Sequence, residues 1–152
     1  VGRNEITGGT VSPSYISPIQ GLQRLQRIMD EYVGGIATNY MTNENMLNRG
    51  LELLKWLEED LENVGAEDYH QLMRAWELKH RTVTSQCVTE HTKFRKETRW
   101  PGYYYRGDHL KLDDENWHCL TVSRRDPVTK EFKMEKVPVY HIVDEKKEKK
   151  AS

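Results

Sequence analysis

Only two of the 152 residues are cysteines, Cys87 and Cys119. Two thiols with no secretory signal ahead of them point to a reducing compartment, the cytoplasm, and to free thiols rather than a disulfide. They also exclude the four-cysteine runs that hold iron–sulfur clusters, so no cluster is expected on this chain. Apolar residues are scarce too, at 36% against 31% charged, and the mean hydropathy is −0.86. Globular domains average about 45–50% apolar on a scale that also counts glycine. So thin a supply predicts an extended, shallowly packed piece that leans on a larger body. No apolar run approaches the ~20 residues that span a bilayer, and no signal-peptide pattern opens the chain. The net charge of −1 leaves no electrostatic footprint for nucleic acid or membrane. Gly8-Gly9 and Gly34-Gly35 lack the G-x-G-x-x-G spacing and context of a phosphate loop.

What is present divides into four segments. Residues 1–16, rich in Gly, Ser, Thr and Pro without a period, read as an extended lead-in. Residues 17–99 carry three helical patterns. Ser17-Pro18-Ile19-Gln20 combines an N-cap, a first-position proline and a capping-box glutamine. Ile19, Leu22, Leu25, Ile28, Met29 and Tyr32 follow on one side, and Gly34-Gly35 ends that helix. Thr42 is the expected N-cap of a second helix running to about Asn63, with Leu47, Leu51, Leu54 and Leu61 on its stripe, widened by Leu53, Leu57 and Val64. A third begins near Glu67 and Asp68, acids suited to the positive end of the macrodipole. Its expected core stripe is Tyr69, Leu72, Met73, Trp76, His80, Val83, Cys87, His91 and Phe94. Short connections imply antiparallel neighbours.

Residues 100–143 form an aromatic loop and then a hairpin: Trp117–Ser123 and Glu131–Val137 are strand candidates about an Asp126-Pro127 turn, and residues 137–143 continue extended. Residues 144–152, a Lys/Glu tail, read as disordered. The fold class is therefore mainly α: an antiparallel three-helix bundle with a long third helix, an aromatic loop and a small C-terminal β-hairpin.

His80, Cys87 and His91 are donor types a metal uses, seven and four residues apart on one helical face. A zinc site needs three or four converging ligands, and one helix supplies two at best, so these residues read as polar members of the stripe. Asp113-Asp114-Glu115 reads as an acidic run facing water; the alternative, preferred to a catalytic role, is that one of these acids pairs with Arg99 or Arg106 and fixes the loop. No nucleophile–base pairing is identifiable, and no catalytic or metal residue is assigned.

The segment from Glu97 to Trp117 is another matter. It packs two Trp, Tyr103-Tyr104-Tyr105, Arg99, Arg106 and a cluster of acids into a non-periodic stretch. Loops are ordinarily made of turn residues, and one loaded with aromatics and arginines packs against something or recognises something. Stacking of Trp100 and the tyrosines on an adenine ring is conceivable; packing of the loop against the bundle and a neighbouring body is the preferred reading. Trp56 falls opposite Leu47, off its helix's apolar stripe, and is a further contact candidate, the plainer alternative being that it lies over neighbouring lysine stems. The candidate docking set is Trp56, Arg99, Trp100, Tyr103, Tyr104, Tyr105, Arg106, Asp113, Asp114 and Trp117.

Glu97-Thr98-Arg99, then Arg106 and Asp108, then Asp113, Asp114, Asn116 and Trp117 resemble a pattern of the fumarate reductase and succinate dehydrogenase flavoprotein superfamily. There a third helix runs into Glu-Ser-Arg-Gly-(Ala/Gly)-His-x-Arg-x-Asp, followed by an acidic pair and Asn-Trp. Here Trp100-Pro101-Gly102-Tyr103-Tyr104-Tyr105 replaces the shorter centre, which resembles the adenylylsulfate reductase alpha-subunit family rather than the dicarboxylate enzymes. The likeness covers roughly residues 20–143. It implies that the chain is a C-terminal piece of a longer flavoprotein, which a start at Val1 without Met suits. It further implies FAD in the parent subunit, none bound by this piece, and reduction of adenylylsulfate to sulfite and AMP, or the reverse in sulfur oxidisers. The implied partners are the upstream flavin domain and an iron–sulfur beta subunit with two 4Fe-4S clusters. A dicarboxylate oxidoreductase or a stand-alone helical interaction module are the alternatives.

Overall fold

A computed structural model describes residues 15–140, so most of the expected lead-in and the whole expected tail lie outside the described residues. The chain runs as α1 (Pro18–Tyr32), β1 (Met41–Thr42), α2 (Glu44–Asp60), α3 (Tyr69–Phe94), β2 (Tyr105–Arg106), α4 (Asp114–Trp117), β3 (Cys119–Arg125) and β4 (Phe132–Pro138). Single 3₁₀ turns sit at Ile36–Thr38 and Leu61–Asn63. Helices α1, α2 and α3 pack on one another as the expected bundle.

Helix α1 begins as its sequence dictates. The Ser17 hydroxyl accepts from the Gln20 amide at 3.4 Å, and the Gln20 side chain accepts from the Ser17 N–H at 3.0 Å. Before it, Ile16 lies beside Val64, its N–H donating to the Asn63 carbonyl and its carbonyl accepting from the Gly65 N–H, both at 3.1 Å, which fastens the incoming chain to the α2–α3 connection. The core is Leu25, Ile28, Leu54, Leu57, Leu61, Val64, Ala75 and Leu78, with Ile16, Leu22, Met29 and Leu53 at its margin. A fully buried Leu or Ile side chain stabilises by about 1.5–3 kcal/mol. This cluster therefore sets the bundle. Ile19, expected on the stripe, stays half exposed.

Two expectations need correction. Thr42 does not cap α2: its hydroxyl donates to the Tyr32 carbonyl at 2.7 Å, closing α1's C-terminus, while Asn43 Oδ1 accepts from the Met46 N–H at 3.0 Å. Both residues are good caps, and chain direction decides between them, because β1 turns Thr42 back toward α1.

The buried face of α3 is also not the apolar stripe read from the sequence. Ala75, Leu78, Thr82, Gln86 and Thr89 are inside, whereas Tyr69, Met73 and Trp76 are 86%, 51% and 46% exposed. Burial follows polar satisfaction and size here rather than hydropathy. Thr82 and Thr89 donate to the Leu78 and Ser85 carbonyls one turn back, at 2.9 and 2.7 Å. Gln86 Nε2 donates to Glu58 Oε2 at 2.8 Å. With no orphan polar atom, the smaller face admits the neighbouring helices more closely.

The C-terminal half of the expected stripe is covered by the hairpin. Strands β3 and β4 pair antiparallel from Cys119↔Pro138 to Arg125↔Phe132. Four residues of helix rise about 6 Å and two residues of strand about 6.6 Å, so α3 and β3 stay in step. Cys87 Sγ meets Ser123 Oγ at 3.5 Å, and His91 meets Thr121 and Ser123 hydroxyls at 3.1 and 2.9 Å. Arg95 closes the series by donating to the Cys119 carbonyl at 2.8 Å. The recurrence of Cys87 and His91 is thus a helix–strand seam, and exposed His80 takes no part in it.

At the end of α1, Gly34 has φ +88°, and a Cβ there would sit 2.9 Å from the Tyr104 ring. Gly34→Ala combines strain with a clash against a packed ring. It should cost about 1–3 kcal/mol in urea unfolding, and a loss below half the lower figure would show that the Tyr104 contact is slack.

Candidate functional site

The loop between α3 and β3 is fixed from beneath by two ionic knots. Arg106 is completely buried. Its Nε and Nη2 donate to the two oxygens of Asp108 at 2.9 and 2.8 Å, the side-by-side geometry that arginine makes with a carboxylate. Its Nη1 donates to the carbonyls of Thr92, Lys93 and Arg95 at 2.6, 3.1 and 3.1 Å, the orphan acceptors at the end of α3. Asp108 Oδ2 meanwhile accepts from the Glu44 N–H at 3.0 Å, in the first turn of α2. One ion pair therefore puts its cation on the negative end of one helix and its anion on the positive end of another, which favours both. The hydrogen bonds from Arg106, against a smaller opposing effect of burial, hold the Asp108 carboxyl down at about 2.

β1 and β2 pair parallel through Met41↔Tyr105 and Thr42↔Arg106 and deliver Arg106 to this position. Thr98 supports it: its hydroxyl accepts from the Arg106 N–H at 3.0 Å and donates to the His109 carbonyl at 2.8 Å.

The second knot centres on Glu97, whose side chain is fully buried. Its Oε1 accepts from Arg95 Nη1 at 2.6 Å and Arg99 Nε at 2.7 Å. Its Oε2 accepts from Arg99 Nη2 and the Asp113 N–H, both at 3.0 Å. Burial pushes this carboxyl up, but hydrogen bonds from Arg99, Asp113 and Arg95 outweigh it and hold the group below its ordinary range. Arg99 also pairs with Asp114 at 2.9 Å, so an acid of the 113–115 run does meet one of the two arginines. Asp113 instead caps α4, accepting from the Asn116 N–H at 3.1 Å. Trp117 is buried edge-on to Phe94 with ring centroids 5.5 Å apart, and Lys136 lies 3.5 Å above its ring.

The candidate docking residues therefore separate by burial. Arg106 and Trp117 are spent inside the chain's own fold, and Arg99 is held mainly by Glu97 and Asp114. Burial pushes the Tyr104 phenol up to about 12, and its ring lies on Gly34. The Tyr105 hydroxyl accepts from the Gly102 N–H at 2.7 Å. Trp100 and Tyr103 stand out, 71% and 81% exposed, on a loop whose base is locked. Trp56 is half exposed and carries Arg49, not a lysine, over its ring at 5.2 Å.

The decisive partners, Glu97 and Asp108, were not singled out from the sequence as site residues. A signal for both was there in the Glu97-x-Arg99 and Arg106-x-Asp108 alternations, since side chains two apart in extended chain share a side. A third network has no local signal in the sequence. Glu58 on α2 accepts from Arg125 on β3 at 2.8 Å and from Gln86, tying the hairpin to the bundle. Glu44, Asp108 and His109 bring three potential metal-ligand atoms within 4.8 Å of one another. Arg106 Nη2 already occupies Asp108 at 2.8 Å and Lys96 lies 3.6 Å from Glu44, so that cluster is neutralised by the chain's own cations.

Residues 22–150 match the family described as fumarate reductase flavoprotein C-term. The chain is 44% identical, over 93% of its length and 21% of the relative's, to adenylylsulfate reductase subunit alpha of Megalodesulfovibrio gigas. The solved adenylylsulfate reductase of the hyperthermophilic Archaeoglobus fulgidus is 57% identical with TM-score 0.84, covering 88% of this chain and 21% of that one. Quinol fumarate reductase of E. coli, at 21% identity, TM-score 0.70 and coverage of 82% of this chain and 21% of that one, shares the fold. The chain spans about a fifth of the length of these relatives.

Proposed function

Because this chain belongs to the fumarate reductase flavoprotein C-terminal family, we propose that it braces the flavin-binding portion of an adenylylsulfate reductase alpha subunit. The whole protein then takes two electrons and reduces adenylylsulfate to sulfite and AMP, or runs the reverse reaction, in the cytoplasm. FAD supplies the two-electron chemistry when bound, and a beta subunit with two 4Fe-4S clusters relays the electrons. The residues described here do not fit a flavin cradle. Gly34-Gly35, the one glycine pair among them, is folded into the turn after α1 with Gly34 against Tyr104, so no step is assigned to this chain through FAD.

The carrying observation is the locked loop. Two buried ion-pair knots at Glu97 and Arg106 hold a base from which Trp100 and Tyr103 project into solvent. Rigid aromatic side chains presented on an ordered loop bury large area on binding at low entropic cost, which is the profile of an interface anchor. Substitution at the same level of exposure in a free loop would matter little.

The test is co-production of this chain with the flavin-binding portion as two separate polypeptides, followed by affinity recovery through a tag on the latter. Trp100→Ala combined with Tyr103→Ala should lower recovery at least tenfold while leaving the circular-dichroism melt of the chain alone unchanged. Unchanged recovery would remove the loop as the anchor.

A further inference from the structure

The hairpin breaks a pairing rule on the face that points away from α3. Its outward residues are Leu120, Val122 and Arg124 on β3 and Lys133, Glu135 and Val137 on β4. The register sets Arg124 directly opposite Lys133 and Leu120 opposite Val137. Like charges facing each other across a pair destabilise a sheet. Lys133 finds some relief from Glu135 at 3.2 Å, but Arg124 has no carboxylate partner among the described residues. Beside it Leu120, Val122 and Val137 are 59%, 42% and 39% exposed, and contiguous through the Leu120–Val137 pair. A two-stranded hairpin is marginal by itself and gains from every cross-strand pair. A solvated outer face would place an acid at position 124, as position 135 does for Lys133. The inward face, in contrast, has its cations matched: Arg125 lies on Glu58, and Lys136 on the Asn116 carbonyl and the Trp117 ring.

We infer that the outer face of the β3–β4 hairpin is a docking surface for an acidic partner protein, one that sets carboxylates against Arg124 and Lys133 and an apolar side chain against Leu120, Val122 and Val137. Charge complementarity selects the partner's sign, because the outer face itself carries Arg124 and Lys133 against the single acid Glu135. The surface is separate from the aromatic loop and does not depend on what that loop contacts. A local pairing rule broken without compensation at Arg124 is expected where a protein keeps a functional site.

The probe is a synthetic ten-residue peptide alternating Glu with Val, compared with its Lys–Val counterpart, titrated into the full chain and followed by amide chemical shifts. The acidic peptide should move Leu120, Val122, Arg124 and Lys133, and weaken at least tenfold between 20 and 500 mM salt, as expected when the Debye length shrinks from about 20 to about 4 Å. The basic peptide should leave these shifts in place. Arg124→Glu, which creates an opposite-charge pair with Lys133, should hold or raise the melting temperature of the chain while lowering binding of the acidic peptide at least tenfold. Equal response to both peptides, an unchanged affinity in that variant, or a dimer by light scattering that buries this face would overturn the assignment.

Discussion

Replacing Arg106 with methionine should lower the unfolding free energy by about 3–5 kcal/mol, the range expected when one partner of a buried ion pair is removed. The volume is nearly kept, so the loss is electrostatic and hydrogen-bonding in origin. Asp108 keeps the Glu44 N–H but loses its cation, and the Thr92, Lys93 and Arg95 carbonyls lose their common donor at the end of α3. Arg106→Lys should recover only part of it. An ammonium is a point donor and cannot span a carboxylate on one side and three carbonyls on the other. Urea titration followed by far-ultraviolet circular dichroism reads both variants. A loss under about 1 kcal/mol for the methionine variant, the scale of an exposed pair, would show that solvent already reaches this guanidinium.

The same residue explains what a single sequence discloses and what it withholds. Helix α1 was legible to the residue, because Ser17, Pro18 and Gln20 act locally and need no tertiary context. The hairpin was legible for the same reason: Asp126 accepts from Val128 and Thr129, both at 2.8 Å, and starts the turn on its own. The observed strands lie one or two residues on from those expected. The α3 face was misread because hydropathy ranks Trp76 and Met73 above Thr82 and Gln86, and it cannot see a hydroxyl that bonds back to its own helix. Thr42 was misread because capping α1 from behind is a long-range event. The expectation that an acid of the 113–115 run meets Arg99 or Arg106 holds for Asp114 and Arg99. The Glu97-x-Arg99 and Arg106-x-Asp108 pairs are local, but the burial of Arg106 beneath the end of α3 depends on β1 and β2 pairing across more than sixty residues. The tight base and exposed tip of the loop were accordingly half visible: residue types gave the aromatics, and only the fold separates Trp100 and Tyr103 outside from Arg106 and Trp117 inside.

Glu97→Gln should be the other severe substitution, and its cost should depend on pH. At neutral pH two guanidinium groups, Arg95 and Arg99, converge on one buried carboxylate, and an amide would turn an N–H₂ toward at least one of them. A loss of about 3 kcal/mol is expected at pH 7, again the scale of a broken buried pair. The sign with pH follows from the direction of the shift. The folded carboxyl titrates below its ordinary 4.5, so its stabilisation is fully present above that value and disappears as pH falls through the lowered folded value. The wild-type and glutamine curves should therefore converge in acid rather than run parallel. Asp108 acts by the same rule over a window between its ordinary 3.8 and about 2, and both proteins retain it. Once the pH has fallen through the lowered Glu97 value, the two should share the same remaining slope. Limited trypsin digestion supplies an independent reading, since Arg99 is the cleavable bond nearest the exposed tip. Faster cutting after Arg99 in Glu97→Gln, at a urea concentration where both proteins are still folded, would place the lost stability in the loop. Parallel pH curves together with unchanged cutting would mean that Arg95 and Arg99 are held without Glu97, by the Trp117 and Cys119 carbonyls and Asp114.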